Sequence, residues 1–124
     1  CGPVEDRVRD DGLVAAVDCV LPGAVGPGTL TAGRFDDAAA MRAAFDRQVA
    51  ALRLSPGGDC AAGTPGVQQQ GDDAVACGVV ESGFDAGAVV TWTDAAGATM
   101  HVAHLEGGDG EDLVRLAGWV ARNR

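Results

Sequence analysis

The sequence predicts an α+β two-layer sandwich, in which an antiparallel sheet of about five strands carries two helices on one face. The length of 124 residues, 47% of them hydrophobic, allows one domain with a sizeable core. Two segments repeat apolar residues at the helical period, and the others are strand-like. Their order, ββα followed by βββα, places neighbouring strands in hairpins and therefore favours an antiparallel sheet.

The first two predicted strands form a hairpin with a wide loop. Leu13–Leu21 is a continuous apolar run with β-branched residues, bounded by Gly12 and Pro22, which predicts a buried strand. Gly23–Gly28 is rich in turn residues. Thr29–Phe35 follows as the second strand of the hairpin.

The first helix is the clearest element of the sequence. It is predicted over Ala38–Leu54, where Asp36 or Asp37 supplies the N-cap oxygen that accepts hydrogen bonds from free backbone N–H groups. One stripe along this helix consists of apolar side chains at helical spacing: Met41, Phe45, Val49 and Leu52. The Pro56–Gly58 segment ends the helix.

Three strands and a helix are predicted in the C-terminal half. The strands cover about 75–82, 87–94 and 98–105, with a hairpin turn at Asp94–Gly97. The last helix covers about 111–122, with Trp119 beside an apolar stripe of Leu113, Leu116, Ala117 and Val120. Because both helices are expected on one face, we predict a single core shared by Met41, Phe45, Trp92 and Leu116.

Four cysteines, Cys1, Cys19, Cys60 and Cys77, indicate two structural disulfides, because no pair has the C-x2-C spacing of a zinc or redox site. Three pairings are possible. We favour Cys1–Cys19 with Cys60–Cys77, since each closes a short loop and joins the ends of a Gly-, Pro- and Asp-rich segment. Disulfides imply an oxidising, extracytoplasmic compartment. Alternatively, Cys1 is the lipid-modified cysteine of a bacterial lipoprotein.

The charge of the chain excludes several classes of partner. Nine positive charges, all arginine, stand against 18 Asp and Glu residues, for a formal charge of −9. Nucleic acid and anionic lipid would therefore be repelled. No apolar run approaches the ~20 residues of a membrane span, so membrane attachment is expected only through an anchor outside the chain or at its start. The absence of Lys, Ile and Tyr, whose codons are AT-rich, favours a high-GC genome such as that of an actinobacterium.

Six features follow one another along nearly the whole chain. They are an early cysteine pair, an acidic turn before a Met-containing helix, a mid-chain cysteine, a Gly-to-Cys strand, a strand ending in Trp-Thr-Asp and a helix with Leu-x-x-Trp. The residues are Cys1 and Cys19, Phe35–Asp37 with Met41, Cys60, Gly71–Cys77, Trp92–Asp94, and Leu116 with Trp119. This pattern resembles a small extracytoplasmic domain that follows the transmembrane segment of some actinobacterial serine/threonine protein kinases and also occurs in secreted and lipid-anchored proteins. The resemblance implies a non-catalytic cell-envelope domain.

Two motifs are candidates for metal binding, and neither is complete. Gly107–Arg115 matches the calcium-binding nonapeptide G-G-x-G-x-D-x-U-x, but one copy supplies only half a site. A Gly-rich turn that brings acidic residues to a helix N-terminus is the favoured interpretation. His101 and His104 lie three apart on a strand, so they point to opposite faces and cannot share a metal. His104, on the face of Met100 and Val102, is expected to be the more buried. We predict neither metal nor cofactor.

Catalytic motifs find little support in the sequence. Ser55 and Ser82 lack the G-x-S-x-G context of hydrolases. Carboxylate pairs of the kind that glycosidases use occur at Asp10–Asp11, Asp36–Asp37 and Asp72–Asp73. Two Trp, three Phe and no Tyr can hardly build an aromatic-lined cleft around them, so we interpret the pairs as solvated turns and helix caps.

The sequence thus favours a non-catalytic binding or sensor module whose partner is an unidentified protein or cell-envelope ligand, with a small secreted hydrolase as the alternative. Long irregular loops often contain binding sites, so we predict that the binding region consists of the polar segment 55–74 and the Gly107–Gly110 turn. Deleting Gly66–Gly71 is expected to leave folding intact. The candidate binding residues in these two regions are Pro65, Gln68, Gln69, Gln70, Asp72 and Asp109.

Overall fold

The computed structural model describes residues 1–4, 12–83 and 86–124, which form an open antiparallel sheet with two α-helices. The strands of this described part are β1 (Gly2–Pro3), β2 (Leu13–Val20), β3 (Gly28–Phe35), β4 (Gly66–Gln70), β5 (Asp73–Val80), β6 (Gly87–Asp94) and β7 (Thr99–Glu106). The helices are α1 (Ala38–Ala51) and α2 (Gly110–Asn123). The strand order across the sheet is β1-β2-β3-β7-β6-β5-β4. The predicted α+β class and antiparallel sheet are confirmed.

The two helices lie on opposite faces of the sheet, so the prediction of a two-layer sandwich with both helices on one face is wrong. Ala74 and Ala76 of β5 pack with Phe45 of α1. The alternate residues Val75 and Cys77 belong instead to the core under α2. The central strands are apolar on both faces, and β6 is buried along seven of its eight residues. A sheet of that kind needs cover on both sides.

Helix α1 closes the first face. Asp37 is its N-cap, with a side chain that accepts a hydrogen bond from a backbone N–H of the first turn, as predicted. Met41 and Phe45 point into the sheet and are fully buried. The helix ends at Ala51, three residues before the predicted end, and Arg53 then adopts a left-handed backbone with φ of 54°, which does not continue a helix.

Helix α2 closes the second face. It begins with a capping box in which the carboxylates of Asp109 and Asp112 each accept a hydrogen bond from the backbone N–H of the other. The predicted apolar stripe is confirmed, because its four members are buried: Leu113, Leu116, Ala117 and Val120. Trp92 packs in this core, whereas Met41 and Phe45 lie across the sheet. The prediction of one core shared by Trp92, Leu116, Met41 and Phe45 is therefore wrong.

Strand β2 forms the predicted hairpin with β3, but it is not a buried strand. Only Ala16 of its eight residues is buried, while Val17 is 39% and Val20 82% exposed. The strand lies beside the short edge strand β1, and only its first residue, Leu13, packs against the core under α1. The apolar, β-branched run therefore predicted correctly that this segment is a strand. It predicted the burial of the strand incorrectly.

Residues 55–74 are not one irregular loop, because Gly66–Gln70 forms the edge strand β4 against β5. With β1, this strand raises the count from the predicted five to seven in the described residues. Glutamines have little strand propensity of their own, and pairing with β5 across a tight turn at Gly71 overrides it. Deleting Gly66–Gly71 would remove this strand and its ladder, so we now expect the deletion to disrupt folding.

The remaining predicted strands and the second helix agree with the structure to within two residues at each end. The disulfides are Cys1–Cys19 and Cys60–Cys77, the pairing that the sequence favoured. They indicate an oxidising, extracytoplasmic environment. With its sulfur in a disulfide, Cys1 has no thiol left for lipid attachment. Neither helix of the described chain, at 14 residues each, has the length and apolar character to cross a membrane.

Candidate functional site

A cleft of about 650 Å³ opens on the α2 side of the sheet, where α2 reaches its C-terminal end. Strands β3, β6 and β7 contribute Leu30, Trp92 and His101, and α2 contributes Trp119. The rest of the lining is polar and consists of Gln70, Asp73, Thr93, Asp94, Asn123 and Arg124. The cleft thus combines ring side chains at its base with amide, carboxylate and guanidinium groups around them.

The base of the cleft is a stacked pair of rings. Trp92 on β6 lies directly opposite His101 on β7 in the register of the sheet. Their ring centroids are 4.8 Å apart, and the ring planes differ by 5°. Such cross-strand ring pairs stabilise a sheet and also present a flat aromatic surface. Trp92 is 7% exposed, so it belongs to the core as well as to the cleft.

His101 carries an unsatisfied polar atom. Its Nδ1 is buried and has no hydrogen-bond partner among the residues that the structure describes. Burial lowers the pKa of His101 below its ordinary value by disfavouring the charged ring, and the nearby Asp94 carboxylate opposes this only in part. A buried N–H without an acceptor costs about 1–3 kcal/mol, so the single proton of the neutral ring belongs on Nε2. His101 therefore offers an Nε2–H donor at neutral pH.

The polar rim is held in place by hydrogen bonds that leave part of its capacity unused. Arg124 donates from Nη2 to Oε1 of Gln70 at 2.9 Å, which joins the end of α2 to β4. Asp73 accepts a hydrogen bond from the Ala95 backbone N–H at 2.7 Å through one carboxylate oxygen. The second oxygen of Asp73 and the exposed carboxylate of Asp94 remain as acceptors. A polar ligand would meet both donors and acceptors here.

Only one of the sequence-predicted binding residues lines this cleft. Gln70 is part of the rim, as described above. Gln68 instead accepts a hydrogen bond from the Cys60 backbone N–H at 3.2 Å. Gln69 accepts one from Arg42 and donates to the backbone of the β4–β5 turn. Both of these glutamines hold the fold together around β4.

The other predicted binding residues lie at separate places. Pro65 is exposed just before β4. Asp72 lies on a shallow depression beside the start of α1, on the other face of the sheet. Asp109 caps α2, which confirms the interpretation of the Gly-rich turn as a carrier of acidic residues to a helix N-terminus. The structure does not bring Pro65, Asp72 and Asp109 together in one site.

The acidic start of α2 is a structural feature of the helix. A hydrogen bond from the Asp109 backbone N–H, followed by the charge of Arg115, lowers the pKa of Asp112 below its ordinary value. Arg115 also donates to the Asp112 carboxylate at 2.5 Å. In the described part of the chain, no group of three or more His, Cys, Asp or Glu side chains is placed to hold a metal ion.

The two histidines occupy opposite faces, as predicted, but the expected contrast between a buried His104 and an exposed His101 is not found. His104 lies on the α1 side, where its Nε2 is 3.2 Å from the Ala86 carbonyl oxygen. Both side chains are half-buried, and it is His101 that has the enclosed nitrogen.

Sequence reasoning missed the convergence of Trp92, His101 and Trp119, and it judged the aromatic residues too few to line a cleft. The sequence contained one signal for the pairing of Trp92 with His101. A hairpin that pairs Asp94 with Thr99 also pairs the residues two positions further out, which are Trp92 and His101. The position of Trp119 depends on how α2 docks on the sheet, and no local pattern in the sequence specifies that.

No protein-family model matches the chain, and no curated protein or solved structure matches it significantly. The resemblance to actinobacterial kinase ectodomains therefore rests on the sequence pattern alone. The site has to be interpreted from its own geometry.

Proposed function

We propose that this chain is a non-catalytic extracytoplasmic binding module of an actinobacterial cell-envelope protein, such as a receptor kinase, and that its ligand occupies the cleft at the Trp92–His101 stack. The observation that carries the proposal is the stack itself, which forms the base of a cleft with polar side chains around it. Both tryptophans of the chain line the same cleft. Aromatic side chains with a few polar groups placed around them are typical of ligand-binding clefts.

The compartment supports a partner outside the cytoplasm. Two disulfides cross-link the chain, and one of them includes Cys1. Attachment to a membrane would therefore come from a segment outside this chain rather than from a lipid on Cys1. A module held at the cell surface in this way meets envelope components first.

Binding fits the chemistry of the cleft better than catalysis does. The described residues that line it include neither serine nor cysteine. The one hydroxyl side chain among them, Thr93, is buried and accepts a hydrogen bond from the Ala74 backbone N–H at 3.0 Å through Oγ1. An activated nucleophile instead needs an adjacent base and access to the substrate.

Sedimentation with isolated actinobacterial cell envelopes tests the proposal. The intact chain is expected to co-sediment in a saturable manner, and Trp119→Ala is expected to weaken binding by about tenfold or more, the scale of one aromatic hot spot. Val114→Ala is the matched control, because Val114 lies on the same helix and is 42% exposed outside the cleft. Equal binding by both variants, or no binding by the intact chain, would contradict the proposal.

A small secreted hydrolase is the second candidate, and one observation favours it. His101, with its lowered pKa, shares the cleft with Asp94 and Asp73, which is a set able to move a proton. Incubation with the same envelopes separates the two functions. Catalytic release of soluble fragments that is lost in His101→Gln would establish the hydrolase, whereas binding without release supports the module.

A further inference from the structure

The base of the cleft continues as a row of ring and apolar side chains across the half of the sheet that α2 does not cover. In the strand register Trp92 pairs with His101, His101 with Ala32, and Ala32 with Val17. These residues share the α2 face, because paired residues in a sheet point to the same side. At a strand spacing of about 4.8 Å, the row over four strands is roughly 14 Å long. Its outer end is open, with Val17 39% exposed.

A polar row runs beside the apolar one. Asp94 pairs with Thr99, and Thr99 with Arg34, so these side chains lie on the same face two residues further along each strand. Two residues along a strand correspond to about 7 Å. Asp73 and Arg124 continue this polar border at the cleft itself. Two carboxylates and two guanidinium groups thus balance one another along the path.

We propose that the cleft and this double row bind a linear, uncharged glycan that lies across the strands, and this inference rests on the proposed function. A flat pyranose chain has apolar C–H faces and hydroxyl edges, which match the apolar row and the polar row in parallel. The balanced charges of Asp94, Asp73, Arg34 and Arg124 favour a neutral ligand. The formal charge of −9 on the chain disfavours an anionic polymer.

An extended peptide fits this surface less well than a glycan. Peptides that add to a sheet bind the unpaired backbone groups of an edge strand. The row lies instead on the face of β6, β7, β3 and β2, and at the row each of these strands has a paired neighbour on both sides, since Pro3 of β1 pairs with Val17. The face therefore offers side chains and no free backbone ladder, which is suited to a ligand that is recognised by stacking and by side-chain hydrogen bonds.

Calorimetric titration with two neutral β-1,4-linked tetrasaccharides, chitotetraose and cellotetraose, tests the inference. At least one of them is expected to bind about tenfold or more tightly than its monosaccharide, because the row spans several sugar units. Val17→Glu places a charge at the outer end of the row and is expected to weaken that binding by about tenfold. Val20→Glu is the matched control, since Val20 is on the same strand, 82% exposed and on the other face. Unchanged thermal unfolding of both variants verifies their folding.

Three results would overturn the inference. The first is that neither tetrasaccharide binds, and the second is that a tetrasaccharide and its monosaccharide bind equally tightly. The third is that the Val17 and Val20 variants bind the tetrasaccharide with the same affinity. If any of these occurs while the chain still sediments with envelopes in a Trp119-dependent manner, the glycan assignment is wrong and the proposed binding function stands. Loss of envelope sedimentation itself would overturn both.

Discussion

β2 and β6 are both apolar strands of eight residues, yet the fold places them in opposite environments. β6 lies between α1 and α2 and is buried along seven residues, whereas β2 is buried at one. By composition alone β2 is the more apolar of the two, with seven apolar residues in LVAAVDCV against GAVVTWTD. What differs is the position in the sheet, since β6 has helices over both faces and β2 lies next to the edge.

This difference separates a half of the molecule that holds most of the buried core from a half that leaves apolar side chains exposed. The inner strands β5, β6 and β7 hold the larger core, together with Leu113 and Leu116 of α2. The outer strands leave apolar side chains such as Val17 in contact with solvent. Trp92 and His101 lie where the two halves meet, buried on one side and open to the cleft on the other.

The largest effect is expected from truncating Trp92. Trp92→Ala should lower the free energy of unfolding by about 3–5 kcal/mol, the range for removing a buried aromatic side chain. Val17→Ala on the outer strand should change it by no more than about 0.5 kcal/mol. Urea denaturation of both variants measures the contrast. Comparable losses in the two would mean that the halves share the stabilising role.

The two disulfides provide the next contrast, since each closes a loop of similar length. Chain entropy gives about 3 kcal/mol for either bond. Cys60 and Cys77 are also buried in the inner core, at 4% and 0% exposure, so their replacement by alanine also loses packing. The Cys60→Ala/Cys77→Ala variant should therefore be less stable than Cys1→Ala/Cys19→Ala in urea. The reverse order would contradict the assignment of stability to the inner half.

The positions of particular residues in the structure show what the sequence can and cannot predict. Helical periodicity identified Met41, Phe45, Leu113 and Leu116 as buried, because each faces the sheet from its own helix. Periodicity does not say which face of the sheet a helix covers, so the two cores were merged into one. Near-continuous apolar runs in β5 and β6 were the available signal for cover on both faces.

The candidate site was harder to predict than the fold for a related reason. Binding was assigned to Gln68, Asp72 and Asp109 because they lie in polar, Gly-rich segments. The structure instead uses Gln68 and Asp109 for hydrogen bonds that hold local structure. The cleft combines strands distant in sequence with the end of α2, and only tertiary packing brings these parts together.

A smaller effect is expected from His101 and pH. Its pKa is lower in the folded chain than its ordinary value of 6.5, mainly through burial, so the unfolded chain takes up the proton first as pH falls. Stability is therefore fully present above about pH 6.5 and declines as pH falls through the folded pKa. Urea unfolding at about pH 7 and pH 5 should show a larger loss for the intact chain than for His101→Gln. Parallel losses would mean that the ring is solvated.

The most direct test of ligand binding in the cleft is a map of ligand contacts by nuclear magnetic resonance. Soluble fragments released from isolated cell envelopes are added to the isotope-labelled chain, and the signals are compared before and after. Binding at the Trp92–His101 stack and along the row to Val17 predicts shifts in the indole N–H signals of Trp92 and Trp119 and in the methyl signals of Ala32 and Val17. Unchanged indole signals, with shifts confined to the backbone amides of Asp72 and Asp109, would contradict it and return the binding site to the loops.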